Sequence, residues 1–535
     1  MMRVFLLAAC ALSTLAACQP PSSPPSPTAA PVAADYSQFI AEPRTLEQLT
    51  ADLASGATTS EKLTQFYLDR IAAVDDSGPM LNAVIALNPD ALAHARELDA
   101  RRAAGTLLGP LHGVPVLIKD NIETLDEMAT TAGSLALKDN ITHRDAPLVA
   151  RLRAGGAVIL GKTNLSEWAN FRSDASTSGW SAAGGLTRNP HALDRNTCGS
   201  SSGSGAAVAA GLAPLAIGTE TDGSIMCPAH ANGVVGIKPT VGLVSRTHII
   251  PISSSQDTAG PMALTVADAA AGLAAIAGAD AADPATARAS GRVADYASAL
   301  DAGALAGKRI GIARFHAGYH AGVDAVFAAA IADIVAAGAT AVEIADFPSD
   351  RAAMGRAEFA VLLAEFNAGL NAYLASAPPA VTVRSLRQLI DFNAATPAEL
   401  QWFGQDTLQE AAAAPAVTDA GYLAAVATSR RLAGAEGIDR LLADHRLDAI
   451  IAPTGAPAWQ SDLVNGDNFL GASSALAAVS GHPAITVPMG DVHGLPVGLT
   501  FMGPAWSEAR LIGLAFAYEQ RAKARLTPAF RVHIP

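Results

Sequence analysis

Charge is scarce in this 535-residue chain: Asp, Glu, Lys and Arg together make up 16% of it. Half of the residues are hydrophobic, which excludes a disordered chain, since disorder needs low hydrophobicity and high charge. Aromatic residues are also few, at 5%, so a large core must be built from Ala, Leu, Val and Ile. There is no basic excess: 36 Lys and Arg stand against 49 Asp and Glu, a net charge of −13. That excludes nucleic acid as a main partner, because nothing is available to neutralise its phosphates. The four cysteines form no CxxC and no zinc-type spacing, so no metal or other cofactor is expected. After the N-terminus no run of eighteen uncharged apolar residues occurs. The stretch from Ala259 to Gly278 comes closest and is broken by Asp268.

The first residues read as export machinery. Arg3 supplies a positive start, Val4 to Leu15 an apolar run too short to span a bilayer easily, and small residues lead to Cys18. Leu15-Ala16-Ala17-Cys18 resembles a bacterial lipobox, which implies cleavage after residue 17 and lipidation of Cys18. The alternative is an ordinary signal peptide with an incidental cysteine. Gln19 after Cys18 implies the outer membrane, facing the periplasm. Residues 18–35 then form a Pro/Ser/Ala tether that does not pack, so the membrane is expected to be reached through lipid chains alone. The body, residues 36–535, shows no internal linker and no fixed-period repeat.

Within the body, helical and strand patterns alternate. Thr58-Thr59-Ser60-Glu61 reads as a capping box before Leu63, Phe66, Leu68 and Ile71 on a helical period. Short apolar runs read as buried strands: Gly113 to Asp120 with Lys119 at its end, Ala157 to Leu160, Ala449 to Ala452, Ala484 to Val487 and Gly498 to Phe501. From Ala263 to about Arg440 the chain is Ala-rich and reads as mostly helical. Strands mixed with helices give an α/β class. Cys10 leaves with the signal, and Cys198 and Cys227 read as two buried free thiols rather than a pair.

Chemistry concentrates between Cys198 and Thr240. A Gly/Ser-rich loop, Gly199 to Gly205, precedes a helix-like Ala206–Ala210, an apolar strand from Pro214 to Ile217, and a second turn, Thr219 to Ser224. Consecutive N–H groups in such a turn can converge on one point, as an oxyanion hole requires, and Ser224 ends the turn with its hydroxyl available. Apolar flanks argue against a linker. Gly199-Ser200-Ser201-Ser202-Gly203 fits G-x-S-x-G, but the residues before it are polar rather than a strand. A phosphate cradle would need Gly-Lys-Ser/Thr after the glycines, which is missing.

The run resembles the amidase signature family, whose hallmark is a Gly/Ser loop followed by a downstream Gly-Gly-Ser. The likeness extends to Gly113-Val114-Pro115 with Ile118-Lys119-Asp120-Asn121, Thr130 to Ser134, and Gly161-Lys162-Thr163-Asn164. It continues through Gly236 to Thr240, Asp257 to Pro261, and Pro483 to Pro488. It spans residues 40–530. It implies one large domain, a mixed β-sheet flanked by helices on both faces. It also implies a Ser–cis-Ser–Lys triad carried onto Ser224, Ser200 and Lys119, with oxyanion donors from the backbone of Thr221, Asp222, Gly223 and Ser224. Two departures stand out: Asp222 and Ser202 occupy positions where the family often has glycine. Glu220 to Ser224 followed by Ile225-Met226-Cys227-Pro228-Ala229 resembles the peptide amidase branch, which implies removal of C-terminal amides from peptides.

The implied chemistry is coherent. An amide carbonyl is a poor electrophile, and a serine hydroxyl is weak without a base. No histidine is suitably placed, so Lys119 must act neutral, which burial favours. Taken alone, Lys119 beside Asp120 reads as a surface ion pair. His316 and His320 have metal-like spacing without a third ligand. Trp168 and Trp180 read as core or pocket wall, and Lys162 and Lys238 as structural. The expected partner is a small amide or peptide-amide substrate. Two other readings share these features: the amidase subunit of a tRNA-dependent amidotransferase, against which export and acidity argue, and a catalytically silent binding lipoprotein, against which the intact triad argues.

Overall fold

Among the described residues, eleven of thirteen strands join in one sheet. The computed structural model describes residues 37–534; the signal, lipobox and tether motifs lie outside the described residues. The strands are β1 (Val84–Leu87), β2 (Pro115–Lys119), β3 (Val158–Thr163), β4 (Trp180–Ser181), β5 (Gly185–Leu186), β6 (Leu215–Glu220) and β7 (Val235–Lys238). They continue with β8 (Thr258–Ala263), β9 (Arg309–Ala313), β10 (Thr340–Ile344), β11 (Ala449–Pro453), β12 (Ala484–Val492) and β13 (Leu495–Met502). Their order is β1-β3-β2-β6-β8-β7-β12-β13-β11-β9-β10, and β4 and β5 form a separate ribbon.

The sheet is mixed. β3, β2 and β6 run parallel, as do β11, β9 and β10, while the middle from β6 to β13 and on to β11 is antiparallel. Every residue of β2, β3, β6, β7, β8 and β11 is buried. Successive strand residues point to opposite faces, so helices cover the sheet on both sides. That is the expected α/β architecture, and it explains why these strands read as continuous apolar runs rather than alternating ones.

Several sequence expectations are corrected. The helix Ser60–Val74 is capped by Thr59, whose hydroxyl accepts from Lys62 N–H, and not by a box from Thr58. The Glu61 N–H goes instead to Asp99. Phe66 is 55% exposed, while Tyr67 is buried beside it, so the buried stripe is Leu63, Tyr67, Ile71 and Val74. The Ala-rich stretch after Ala263 contains β9 and β10, a parallel pair hidden among helical patterns. Cys198 and Cys227 are bonded to each other, with Cα atoms 5.8 Å apart. The second turn folds the short helix Met226–Ala231 back onto the Gly/Ser loop, and this non-local approach brings the two sulfurs together.

Candidate active site

The parallel pairing of β2 with β6 builds the site. Register matches Ile118 with Ile217, so β2 ends at Lys119 while β6 runs on to Glu220, and the Lys119 side chain reaches Thr219. β6 then meets antiparallel β8. The site therefore opens at the carboxyl ends of parallel strands where strand direction switches, a recurrent location for ligand crevices.

Each serine of the Gly/Ser loop has a different partner, and the differences single out one of them. Ser201 Oγ donates to the Thr219 carbonyl at 3.0 Å and accepts from Thr219 N–H at 3.2 Å, stitching the loop to β6. Ser202 Oγ donates to the Cys198 carbonyl at 2.6 Å. Ser204 Oγ lies 2.8 Å from Thr163 Oγ1 and 3.3 Å from the Ile217 carbonyl, bridging β3 and β6. Ser200 alone meets a lysine: Lys119 Nζ is 2.8 Å from its Oγ. The Gly199–Ser200 peptide bond is cis. The helix-like stretch starts earlier than expected, as Ser202–Ala209. Its glycines serve close packing, since a Cβ on Gly203 would sit 2.2 Å from the Ala83 carbonyl oxygen.

Lys119 is fully buried and makes no ion pair with Asp120. The Asp120 carboxylate takes the N–H and hydroxyl of Thr131 instead. Besides Ser200, Lys119 Nζ contacts Thr219 Oγ1 at 2.8 Å and the Thr219 carbonyl at 3.4 Å. Burial brings its pKa down to about 7, partly offset by the charges of Asp257 and Glu220. A neutral amine has a lone pair to fill, and a hydroxyl can rotate to donate into it where a carbonyl cannot. Two of the three contacts of Lys119 are hydroxyls, so the site accommodates the neutral form.

Ser224 is 8% exposed, less open than its turn position suggests. It lines a narrow cavity together with Ser200, Thr219, Asn121, Ile250 and Ile252. Its carbonyl accepts from Ser201 N–H at 3.1 Å, tying the second turn to the Gly/Ser loop. Gly223 has φ of 79°, a conformation that glycine adopts without strain. Among the described residues, no protein acceptor takes the N–H groups of Asp222, Gly223 and Ser224. Backbone donors are seldom left unpaired when buried; three together are free to hold a developing oxyanion.

Sequence reasoning missed several supporting groups. Thr219 holds Lys119, and Asn121 Nδ2 donates to Thr219 Oγ1 at 3.0 Å. Glu220 accepts Ile225 and Met226 N–H at 2.7 and 2.9 Å, bracing the turn from behind. Asp257 accepts from Thr221 Oγ1 at 2.6 Å and from Ile252 and Ser253 N–H. The acidic residues in the Gly-Thr-Glu-Thr-Asp-Gly-Ser and Asp-Thr-Ala-Gly-Pro runs were the available signal, because a carboxylate inside an apolar motif must have a specific partner.

The remaining candidates lie elsewhere. His320 caps a helix, accepting from Gly322 and Val323 N–H. Trp168 and Trp180 are buried; Trp180 packs against Phe403 and under the Arg172 guanidinium. Lys162 donates to the Ile122 carbonyl and to Thr130 Oγ1, and Lys238 to the Pro239 carbonyl.

A family model described as Amidase matches residues 62–512. The solved native peptide amidase of Stenotrophomonas maltophilia is similar with a TM-score of 0.86 and 55% identity, covering 91% of this chain and 98% of that one. A probable amidase of Arabidopsis thaliana is 40% identical over 504 residues, 92% of this chain and 93% of its own length. A glutamyl-tRNA(Gln) amidotransferase subunit of Symbiobacterium thermophilum is 37% identical over 483 residues, 88% of this chain and 95% of its own.

Proposed function

The chain belongs to the amidase family and hydrolyses amides, and from that premise we propose that Ser224 is its nucleophile, Ser200 its proton relay and Lys119 its base. The observation that carries the proposal is the 2.8 Å contact between fully buried Lys119 and Ser200, in the wall of the cavity that Ser224 also lines. Neutral Lys119 takes the Ser200 proton as Ser200 takes that of Ser224. Ser224 Oγ then attacks the amide carbonyl carbon. The carbonyl oxygen becomes an oxyanion held by the N–H groups of Thr221, Asp222, Gly223 and Ser224, each such donor contributing about 3–4 kcal/mol. The relay runs backwards to protonate the leaving nitrogen, and amine or ammonia departs. Water, deprotonated by the same relay, hydrolyses the acyl-enzyme and returns Ser224.

For the substrate, we propose a peptide carrying a C-terminal amide. The 55% identity to a peptide amidase supports it, as do the Ile249, Ile250 and Ile252 side chains beside Ser224, which suit an apolar residue next to the scissile amide. Ammonia release from dipeptide amides, a fatty amide and an aryl anilide should show the highest kcat/KM for the peptide amides. Faster turnover of either other class rejects this substrate. Activity of the purified chain on free peptide amides, with no second protein present, also separates this reading from that of an amidotransferase component.

We further propose that Cys18 carries a lipid anchor, so that the enzyme faces the periplasm from the outer membrane. The Leu15-Ala16-Ala17-Cys18 sequence and the Pro-rich tether support this. Cys18→Ser should move the enzyme out of the membrane fraction or block its processing; identical distribution of wild type and variant rejects the anchor.

A further inference from the structure

Asn121 follows the end of β2, just past Lys119, and most of its hydrogen-bonding capacity is committed. Its backbone carbonyl accepts from Ile250 N–H at 2.8 Å, and its Nδ2 donates to Thr219 Oγ1 at 3.0 Å. The first bond ties it to the isoleucine wall of the cavity, the second to the hydroxyl that contacts Lys119. The side chain is thus held in one orientation, and it is 3% exposed. Its Oδ1 is buried as well, and among the described residues no donor reaches it. Buried acceptors are rarely left unpaired. Asn121 lines the same cavity as Ser200 and Ser224, so the donor for Oδ1 comes from what that cavity binds.

We propose that Asn121 Oδ1 accepts an N–H of the scissile amide. Asn121 then selects amides that carry hydrogen on the leaving nitrogen, against esters and against fully substituted amides. The inference rests on the roles proposed above for Ser224, Ser200 and Lys119, because those roles fix where the leaving nitrogen lies. The oxyanion takes the turn and the acyl side chain takes the isoleucines, so the nitrogen faces Ser200, which returns the proton. Asn121 stands on that side. Its Nδ2, Thr219 Oγ1, Lys119 Nζ and Ser200 Oγ form one chain of contacts of 3.0, 2.8 and 2.8 Å. After attack the nitrogen is pyramidal and turns its lone pair toward Ser200. Its N–H groups then point away from Ser200, and Oδ1 is the acceptor that meets one of them. An ester brings a lone pair to the same place, so two acceptors face each other. A fully substituted nitrogen brings an alkyl group and leaves Oδ1 unpaired. A site built around a substrate N–H rejects analogues that lack it.

Binding separates this contact from the chemistry. In Ser224→Ala, the Kd of an N-acetyl dipeptide amide should be roughly tenfold below that of the matching methyl ester. Adding Asn121→Ala or Asn121→Ser, both too short to reach the nitrogen, should abolish that preference. With Ser224 intact, either Asn121 variant should lose roughly tenfold more kcat/KM on the amide than on the ester. The loss should appear in kcat as well as KM, since the bond also aims the lone pair. Equal affinity for amide and ester in Ser224→Ala overturns the proposal, and that arm needs no Asn121 variant to fold. A preference that survives in an Asn121 variant shown by melting to be folded overturns it too. An Asn121-dependent preference in a protein whose wild type hydrolyses neither ligand keeps the contact and rejects the proposed triad instead.

Discussion

Lys119 and Lys162 end and cross neighbouring strands, both fully buried, yet their surroundings ask different things of them. Lys162 is ringed by carboxylates: Asp120, Glu123, Asp126 and Asp145 all favour its charge, and burial lowers it only to about 8. Its contacts are a backbone carbonyl and one hydroxyl. Lys119 has two hydroxyl contacts, two acids favouring its charge rather than four, and a pKa brought to about 7. In the proposed mechanism, the same residue type at the same depth, one strand away, serves as a base rather than as a brace. On the proposed mechanism, hydroxyl partners and fewer carboxylates, rather than burial alone, suit Lys119 to act as a base.

The largest expected effect breaks the comparison on the reactive side. Lys119→Ala should cost at least about a thousandfold in kcat, because members of a triad act as a unit, and Ser224→Ala should remove turnover. Lys119→Arg should be equally inactive, since a guanidinium is not deprotonated in a protein. Lys119→Met should nevertheless fold well. A lysine whose pKa is depressed on folding from 10.5 to about 7 weakens the fold as pH falls between those values, and the full cost remains below them, so this variant should melt higher than wild type at pH 6. A lower melting temperature there would make Lys119 a structural residue like its neighbour.

Lys162→Met should do the reverse. It leaves the Ile122 carbonyl and Thr130 Oγ1 without their buried donor, at about 1–3 kcal/mol for each unsatisfied group, so the melting temperature should drop. The protein that remains folded should keep the wild-type shape of its pH–rate profile.

Thr219→Val sharpens the comparison, because it removes one of the two hydroxyls that distinguish Lys119. A loss of about tenfold in kcat is expected, as for a positioning contact, together with a moved acid limb of the pH profile. An unchanged profile would mean that Ser200 alone governs the lysine.

The smallest effect concerns the Cys198–Cys227 bond, which closes a loop of sequence separation 29. Loop-closure arguments give about 3.6 kcal/mol, so the Cys198→Ser, Cys227→Ser double variant should unfold at lower denaturant. Because Ser201 N–H and the Ser224 carbonyl still join the two loops, its kcat should fall less than that of Thr219→Val.

These contrasts also mark what could be read in the sequence. Strands β2, β3, β6, β11, β12 and β13 were legible, because full burial on both faces leaves unmixed apolar runs. Lys119, Ser200 and Ser224 were legible from motif resemblance, and the structure brings the first two into contact. The partner of Cys198 was not legible, since it depends on how a turn folds back over 29 residues. Glu358 was invisible for a different reason. It lies in a 26-residue helix rich in alanine, where one glutamate looks like any solvated one until the Gln256 amide is seen to donate to it. β9 and β10 were hidden by the same Ala-rich monotony.

The central claim is that a neutral lysine activates Ser224 through Ser200. The most direct measurement is the rate at which a serine-reactive fluorophosphonate labels the folded protein as a function of pH, with the adduct located by mass spectrometry. The account predicts a single adduct on Ser224, a labelling rate that rises with pH through about 7 as Lys119 loses its proton, and near-complete loss of labelling in Lys119→Ala. An adduct on another residue, or a rate on Ser224 that is flat from pH 5 to 9, would contradict it.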